Sequence, residues 1–462
     1  MHPLNKKVKF MKDSIDFGSM EIPKLFRKLL IPTVLGMVFS AVFVITDGIF
    51  VGQGIGSDAL AAVNITAPLF LISTGIGLMF GVGASVVASI HLSQGKLKTA
   101  RINVTQAVVV SSLFLAVLWG VVCLFAPQVA VWLGSSERLL PLAVEYMYWF
   151  LPFLVFSALL SSGMFFVRLD GSPNYAMLCN AIPAVVNILL DYVFIFIFKW
   201  GMMGAALATS LGYILGAGMI VVYLSRRKNV IHFCRVKLSK KSMRLTWRNV
   251  KYMCHLGVST FLCEAAIACM MFAGNYVFIH YLGEDGVAAF SIACYFFPII
   301  FMVYNAIAQS AQPIISYNFG AGASGRVIQA RRIALATAVV CGMTAMGLFV
   351  CCPRILVGFF LDTDTPAALI AIEGFPLFAS GFVFFIVNLT VIGYYQSLER
   401  VRAATTFALL RGFVLLVPAF LLLPRVAGIS GIWLAMPLSE LLTCAVIAVF
   451  YNLRRGFGLR FS

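Results

Sequence analysis

Runs of roughly 18 or more apolar residues recur along this chain from end to end, each long enough to cross a bilayer as a helix. No water-soluble fold hides that many. Of the 462 residues, 61% are hydrophobic and 11% charged, which leaves too little polar surface to cover a core. The chain is therefore read as an all-α integral membrane protein. Its twelve transmembrane helices are expected at about 29–51, 58–90, 102–126, 139–164, 174–198, 202–224, 250–281, 286–316, 327–351, 367–395, 403–424 and 429–453. The basic segment before the first helix is too long for the charged leader of a signal peptide, and no small-residue cleavage site follows. The first helix is thus expected to be retained.

Net charge is +17, a value that in a soluble protein would point to nucleic acid. Its distribution excludes that partner. Of the 34 Lys and Arg residues, 29 fall in alternate loops: the N-terminal segment, KLKTAR, Arg168, the long loop after the sixth helix, RVIQARR, ERVR and the C-terminal RRGFGLR. The opposite loops hold Asp58, Glu137, Glu284, Asp285, Asp362 and Asp364. By the positive-inside rule both termini are cytoplasmic, and the charge sets topology.

The chain also repeats itself. IGSDALAAV (Ile55–Val63) matches LGEDGVAAF (Leu282–Phe290) at an offset of 227 residues, and GMMGAALA from Gly201 matches GISGIWLA from Gly428 at the same offset. Six helices per half return the chain to its starting side, so the halves are parallel repeats about an axis along the membrane normal. The expected organisation is a cytoplasmic segment 1–28, an N-lobe 29–224, a basic linker 225–249, a C-lobe 250–453 and a tail 454–462. Two six-helix lobes around a central cleft are the usual layout of an alternating-access transporter.

Against this background the acids within spans stand out: Asp47, Asp191, Glu264 and Glu440. Each costs about 2.5–3.5 kcal/mol near mid-bilayer on insertion scales, so each requires a reason. At 1.5 Å per residue, Asp47, Asp191 and Thr209 all lie roughly 7–10 Å below the outer surface, and Asn187 is one turn deeper than Asp191 on the same face. Two carboxylates, an amide and a hydroxyl thus converge on one level of the N-lobe. These are the groups a proton or Na⁺ would use. At the 227 offset the same positions hold Gly274, Val414, Pro418 and Met436, so the second half keeps the scaffold without the polar set. The structural alternative is that the two acids only staple helices together. Neighbouring carboxylates in a medium of low dielectric do not both ionise easily, so a change of occupancy alters the local charge. The first helix, with its ladder broken at Pro32, is a candidate element for that change to move.

Other function classes lack support. No HExxH, GxSxG or GxxxxGK[ST] motif is present, and the eleven cysteines show no CxxC pair or zinc spacing, so no enzyme and no resident cofactor are expected. A channel would need a filter loop or a ring of charges, and neither is seen.

The stretches IPxxLGMxFSAVFxITDGIFVGQxIGSDALAAVNITAPL, GxGASVVASxxLSQGK, PAVVNILLDYVFIF…GMMGAALATS and AQPIISYNFGAG resemble bacterial multidrug and toxic compound extrusion (MATE) transporters, from about Leu29 to Tyr451. The resemblance implies export of cationic, amphipathic small molecules across the bacterial cytoplasmic membrane, driven by inward H⁺ or Na⁺ flow. It implies a cation site in the N-lobe, carried here by Asp47, Asn187, Asp191 and Thr209, with Tyr146 as a neighbouring accessory residue. Some relatives carry coupling acids in the second lobe. Here Glu264 in the seventh helix is a candidate accessory contact, and the tenth helix has Asn388 instead of an acid. A monomer in the lipid bilayer is expected. The rival reading is a flippase or exporter of a lipid-linked or endogenous metabolite from the same superfamily; the relatives that move lipid-linked sugars usually have fourteen helices and a cationic cleft. Arg411 and Glu440 are expected to form an ion pair between the last two helices. The aromatic runs Tyr295–Phe297, Phe382–Phe385 and Tyr394-Tyr395 are candidate cleft or packing residues.

Overall fold

A computed structural model describes residues 15–236, 239–360 and 362–456, and all their regular structure is helical. The spans are α1 (Ile22–Gly54), α2 (Asp58–Ser93), α3 (Leu97–Leu124), α4 (Leu140–Leu169), α5 (Pro173–Ile197), α6 (Gly201–Ser225), α7 (Lys240–Gly283), α8 (Asp285–Gly320) and α9 (Ser324–Cys351). They are followed by the bent pair α10 (Pro366–Ala379 and Phe382–Ser397) and the run Val401–Asn452. Ten of these helices are long and apolar enough to cross a membrane, eleven with the bent pair. A straight helix of 52 residues would measure about 78 Å, more than twice the hydrocarbon thickness. The run is broken at Gly428, whose φ of +58° lies outside the helical range, so it divides into α11 (401–427) and α12 (429–452). Residues 1–14 and 457–462, parts of the expected N-terminal segment and tail, lie outside the described residues.

The internal repeat is written in the backbone. Gly56 and Gly283, Gly95 and Gly322, and Gly201 and Gly428 are three pairs at the 227 offset, and all six have positive φ. Only glycine enters that region without steric cost, so the same residue type turns the chain at equivalent places in each half.

Two helices extend further than hydropathy places them. α1 begins at Ile22 and α7 at Lys240, each carrying a basic turn or more out of the lipid. The Ser239 side chain accepts the Ser242 N–H at 3.2 Å and caps α7. The last ten residues of the expected 225–249 linker, 240–249, are therefore helical. Hydropathy marks where a chain enters lipid, whereas helix propensity and caps mark where the helix starts.

The chain divides into two compact units. The first holds the residues up to Phe261 together with Ser316–Gly322, and the second holds Leu262–Ile315 and the residues from Ala323 on. The beginning of α7 and the end of α8 thus belong to the first unit. α7 crosses α2 there at backbone contact: a Cβ on Gly83 would run into the Met253 carbonyl, and one on Gly257 into that of Met79. Small residues allow this approach, and close packing is what holds helices together in lipid.

The first unit also pins the linker. Asp170, in the turn after α4, accepts from the Tyr223 hydroxyl at 2.6 Å and from the N–H of Ile231. Arg101 donates from Nε to the Val230 carbonyl at 2.8 Å. Asp170 lies outside the spans, and burial pushes its carboxyl up to about 6, against the hydrogen bonds from Tyr223 and Ile231, which pull it down. The folded chain therefore binds this proton more tightly than the unfolded chain. The stability so gained is complete below the unfolded value of 3.8 and is lost as pH rises through about 6. Asp170→Asn removes the charge and keeps an acceptor. Its detergent melting temperature is expected to gain on wild type between about pH 4.5 and 7, through at most ~3 kcal/mol. Parallel melting profiles across that range would contradict this account.

Candidate cation site in the N-lobe

α5 explains how a carboxylate is carried in so apolar a segment. Its face with Ala184, Asn187 and Asp191 is buried, while Val185, Leu189 and Tyr192 on the other side are exposed to lipid. Spacing of four residues stacks Asn187 under Asp191, and both are fully buried. α6 packs closely against this face, since a Cβ on Gly212 would sit 3.4 Å from that of Asn187. Directly after Asp191 the helix widens into a π turn over Tyr192–Ile197, a departure that recurs at functional sites.

Three helices converge here. Asp47 of α1 is half-buried, and its Oδ1 accepts from the Thr209 hydroxyl of α6 at 3.2 Å. Its carboxyl also faces that of Asp191 closely enough to interact with it directly. Both Asp191 oxygens, and both the Asn187 Oδ1 and Nδ2, are buried without a hydrogen-bond partner of standard geometry. Buried polar atoms in that state are rare and call for a ligand or a proton. Asp47, Asn187, Asp191 and Thr209 are thus brought together. The donor set is two carboxylates, an amide oxygen and a hydroxyl, and among the described residues no three His, Cys, Asp or Glu converge as a transition-metal site would require. Oxygen donors of this kind fit a proton or a hard alkali cation.

Tyr146 of α4 also reaches the site, buried and close to both Asp47 and Asp191. Tyr213 was not among the expected residues. It lies one turn after Thr209, close to Asp47, with Phe43 edge-on at 6.1 Å and Phe70 stacked at 5.8 Å. The i+4 spacing from Thr209 was the signal that could have found it. Pro32 lies in the buried face of α1, and the helix runs on through it.

The second unit handles its charges differently. Arg411 donates to Glu440 Oε1 from Nε at 2.9 Å and from Nη2 at 2.6 Å, as the sequence anticipates. Asn388 completes the carboxylate, donating to Oε2 at 2.8 Å. The guanidinium also lies over the Phe385 ring, 4.7 Å from its centroid. Glu264 is buried in this unit. Phe297, Phe382 and Phe385 are core residues, packed in an aromatic cluster with Phe378 and Phe301, whereas Tyr295 is exposed.

The chain matches the MatE family over residues 32–193 and 260–421, one segment in each half. The multidrug export protein MepA of Staphylococcus aureus is 24% identical over 454 residues, covering 95% of each chain. The outward-facing structure of a MATE-family multidrug resistance transporter of the MOP superfamily superposes with a TM-score of 0.85 at 20% identity, covering 94% of this chain and 96% of the other. A MOP-superfamily transporter from Pyrococcus furiosus, described as having a binding pocket of reversed polarity, gives 0.86 at 20% identity, covering 97% and 98%.

The buried ion pair of the second unit permits a stability test. Removing one partner strands the other charge, so Arg411→Ala is expected to cost about 3–5 kcal/mol, while Arg411→Met combined with Glu440→Leu recovers most of it. Detergent melting of the single and double variants measures this. An Arg411→Ala variant as stable as wild type would show that the pair carries no such strain.

Proposed function

The chain belongs to the MatE family of membrane transporters, and from that premise we propose that it is a secondary antiporter whose N-lobe acids exchange H⁺ or Na⁺ for an exported organic cation. The observation carrying this reading is the facing pair Asp47 and Asp191, with Asp191 and Asn187 buried and unpartnered in one lobe only. Two unit charges 4 Å apart at an effective dielectric of about 20 repel by ~4 kcal/mol. A proton or Na⁺ arriving between the carboxyls removes most of that repulsion. Carrying a two-state equilibrium from 1:99 to 99:1 takes about 5.5 kcal/mol of preference for one state, and a facing carboxyl pair is a place where a small cation can express such a preference.

Thr209 and Asn187 would complete the oxygen shell for Na⁺, with the Asp47 and Asp191 carboxyls as its charged ligands. For H⁺, the same carboxyls share the proton, and Tyr146 and Tyr213 bound the site with their rings and hydroxyls. Because α1 carries Asp47, a change of charge there acts on the helix that contains Pro32. Cationic, amphipathic compounds fit as cargo, since MepA is a multidrug export protein and a cation leaving as another enters balances charge. We place the monomeric protein in the bacterial cytoplasmic membrane with both termini in the cytoplasm, in keeping with its loop charges.

Asp191→Asn retains size and removes the charge. At equal membrane abundance it is expected to lower dye efflux from proteoliposomes at least a hundredfold. Imposing pH and Na⁺ gradients separately identifies the ion: the gradient that drives wild-type efflux and fails with the variant is the coupled one. Wild-type efflux rates in the variant would refute the assignment.

A further inference from the structure

Arg331, in the early turns of α9, is held between two tyrosines. Its guanidinium carbon lies 5.4 Å from the ring centroid of Tyr394 and 5.2 Å from that of Tyr451. Both rings are within cation–π reach, so the start of α9 and the ends of α10 and α12 form one cradle in the second unit. Of the five donors of a guanidinium, few are used. Nη2 makes a long hydrogen bond to the Tyr451 hydroxyl at 3.4 Å, and Nε is buried without a partner. Arg331 takes part in neither of the ion pairs present among the described residues, Arg138–Asp58 and Arg411–Glu440. The cavity behind it, bordered by Ala311, Ile315, Ala334, Leu335 and Gly393, has a volume of about 10 Å³ and an almost wholly apolar wall. That is room for about one water, so no anion enters from the inner side.

Negative charge is scarce around the cradle. Segments 323–336, 393–404 and 445–456, where these helices begin or end, hold seven arginines and a single acid, Glu399. Arg400 lies close to the same Tyr394 ring. Topology asks only for arginines in the loops; it does not ask that one be clamped between rings from three helices. Beyond Arg331 and Arg332, α9 exposes Ala336, Val339, Val340 and Met343. From Arg332 to Met343 is eleven residues, about 16 Å, or half of a hydrocarbon core of about 30 Å. Arginines at the rim with one leaflet's depth of apolar surface beneath them match the outline of a phospholipid.

We propose that this cradle binds the phosphate of an anionic phospholipid, with Arg331 as its bidentate contact, Arg332 and Arg400 as flanking charges, and the acyl chains along the exposed face of α9. The planar fork of arginine matches two phosphate oxygens, and the two rings fix the plane in which it is offered. Basic pockets between helix ends select anionic headgroups, because a zwitterionic one would set a further cation against the arginines. The site is separate in sequence and chemistry from the N-lobe acids and does not depend on which ion they use.

Native mass spectrometry of the full chain in detergent reads the lipid-bound fraction after addition of phosphatidylglycerol or of phosphatidylcholine with the same chains. Wild type is expected to retain one phosphatidylglycerol with about tenfold preference over phosphatidylcholine. Arg331→Gln should lower the phosphatidylglycerol-bound fraction about tenfold, and Arg331→Lys, which keeps the charge and loses the fork, should fall between. Lys98→Gln, which removes an exposed cation of the first unit, should match wild type. Equal retention of the two lipids by wild type overturns the proposal, and so does an Arg331→Gln variant that holds phosphatidylglycerol as wild type does. Inorganic phosphate is the third arm: if it protects the protein against heat as well as phosphatidylglycerol does, the site takes a soluble anion and the lipid assignment falls. Should Arg331→Gln fail to fold, Tyr451→Ala decides, because it removes one ring and keeps every charge; a bound fraction equal to wild type then sinks the proposal.

Discussion

Charge in a medium that cannot solvate it is the constraint on which the rest of this molecule turns. The bilayer lets only a few ionisable groups inside, and each must be neutralised, shared or left poised. The second unit neutralises: Arg411 and Glu440 cancel one another, and Asn388 fills the remaining lone pairs of the carboxylate. The first unit does the opposite. It sets the Asp47 carboxyl against that of Asp191, and it buries Arg168 with Nη1 and Nη2 lacking a hydrogen-bond partner. One unit pairs an arginine with an acid and buries Glu264 besides, and the other sets two acids face to face.

The repeat makes this contrast sharper. The paired glycines at 56 and 283, 95 and 322, and 201 and 428 show that the two halves turn alike, so their differences lie in side chains on a common frame. On that frame Arg411 answers to Ala184 and Glu440 to Tyr213, as Asp191 answers to Pro418 and Thr209 to Met436. Each half carries its own polar set on that frame, an arginine paired with an acid in one and two facing acids in the other.

Much of this was legible because charge in an apolar run is conspicuous. Asp47, Asn187, Asp191 and Thr209 could be placed at one depth by counting residues at 1.5 Å each, and a helix is stiff enough for that count to hold. Tyr213 was not legible, since an aromatic residue inside a span is usually packing, and only its i+4 relation to Thr209 set it apart. Asn388 read as a missing acid, whereas it completes the shell of Glu440, a long-range contact that no local pattern encodes. Arg168 counted as one more positive-inside residue. A charge count cannot tell a side chain that reaches water from one buried against α1.

A neutral pair and an unneutralised pair also differ in what they let a small cation do. Entering between Arg411 and Glu440 would mean displacing a guanidinium held by two short hydrogen bonds, and the ion would gain one carboxylate at the cost of stranding an arginine. Beside Asp191 there is no guanidinium to displace, and two facing carboxyls favour a positive charge or a shared proton between them. The two lobes can therefore share a scaffold and still not share the work. What distinguishes the halves is therefore local: an arginine and an acid paired in one, two acids from α1 and α5 facing one another in the other.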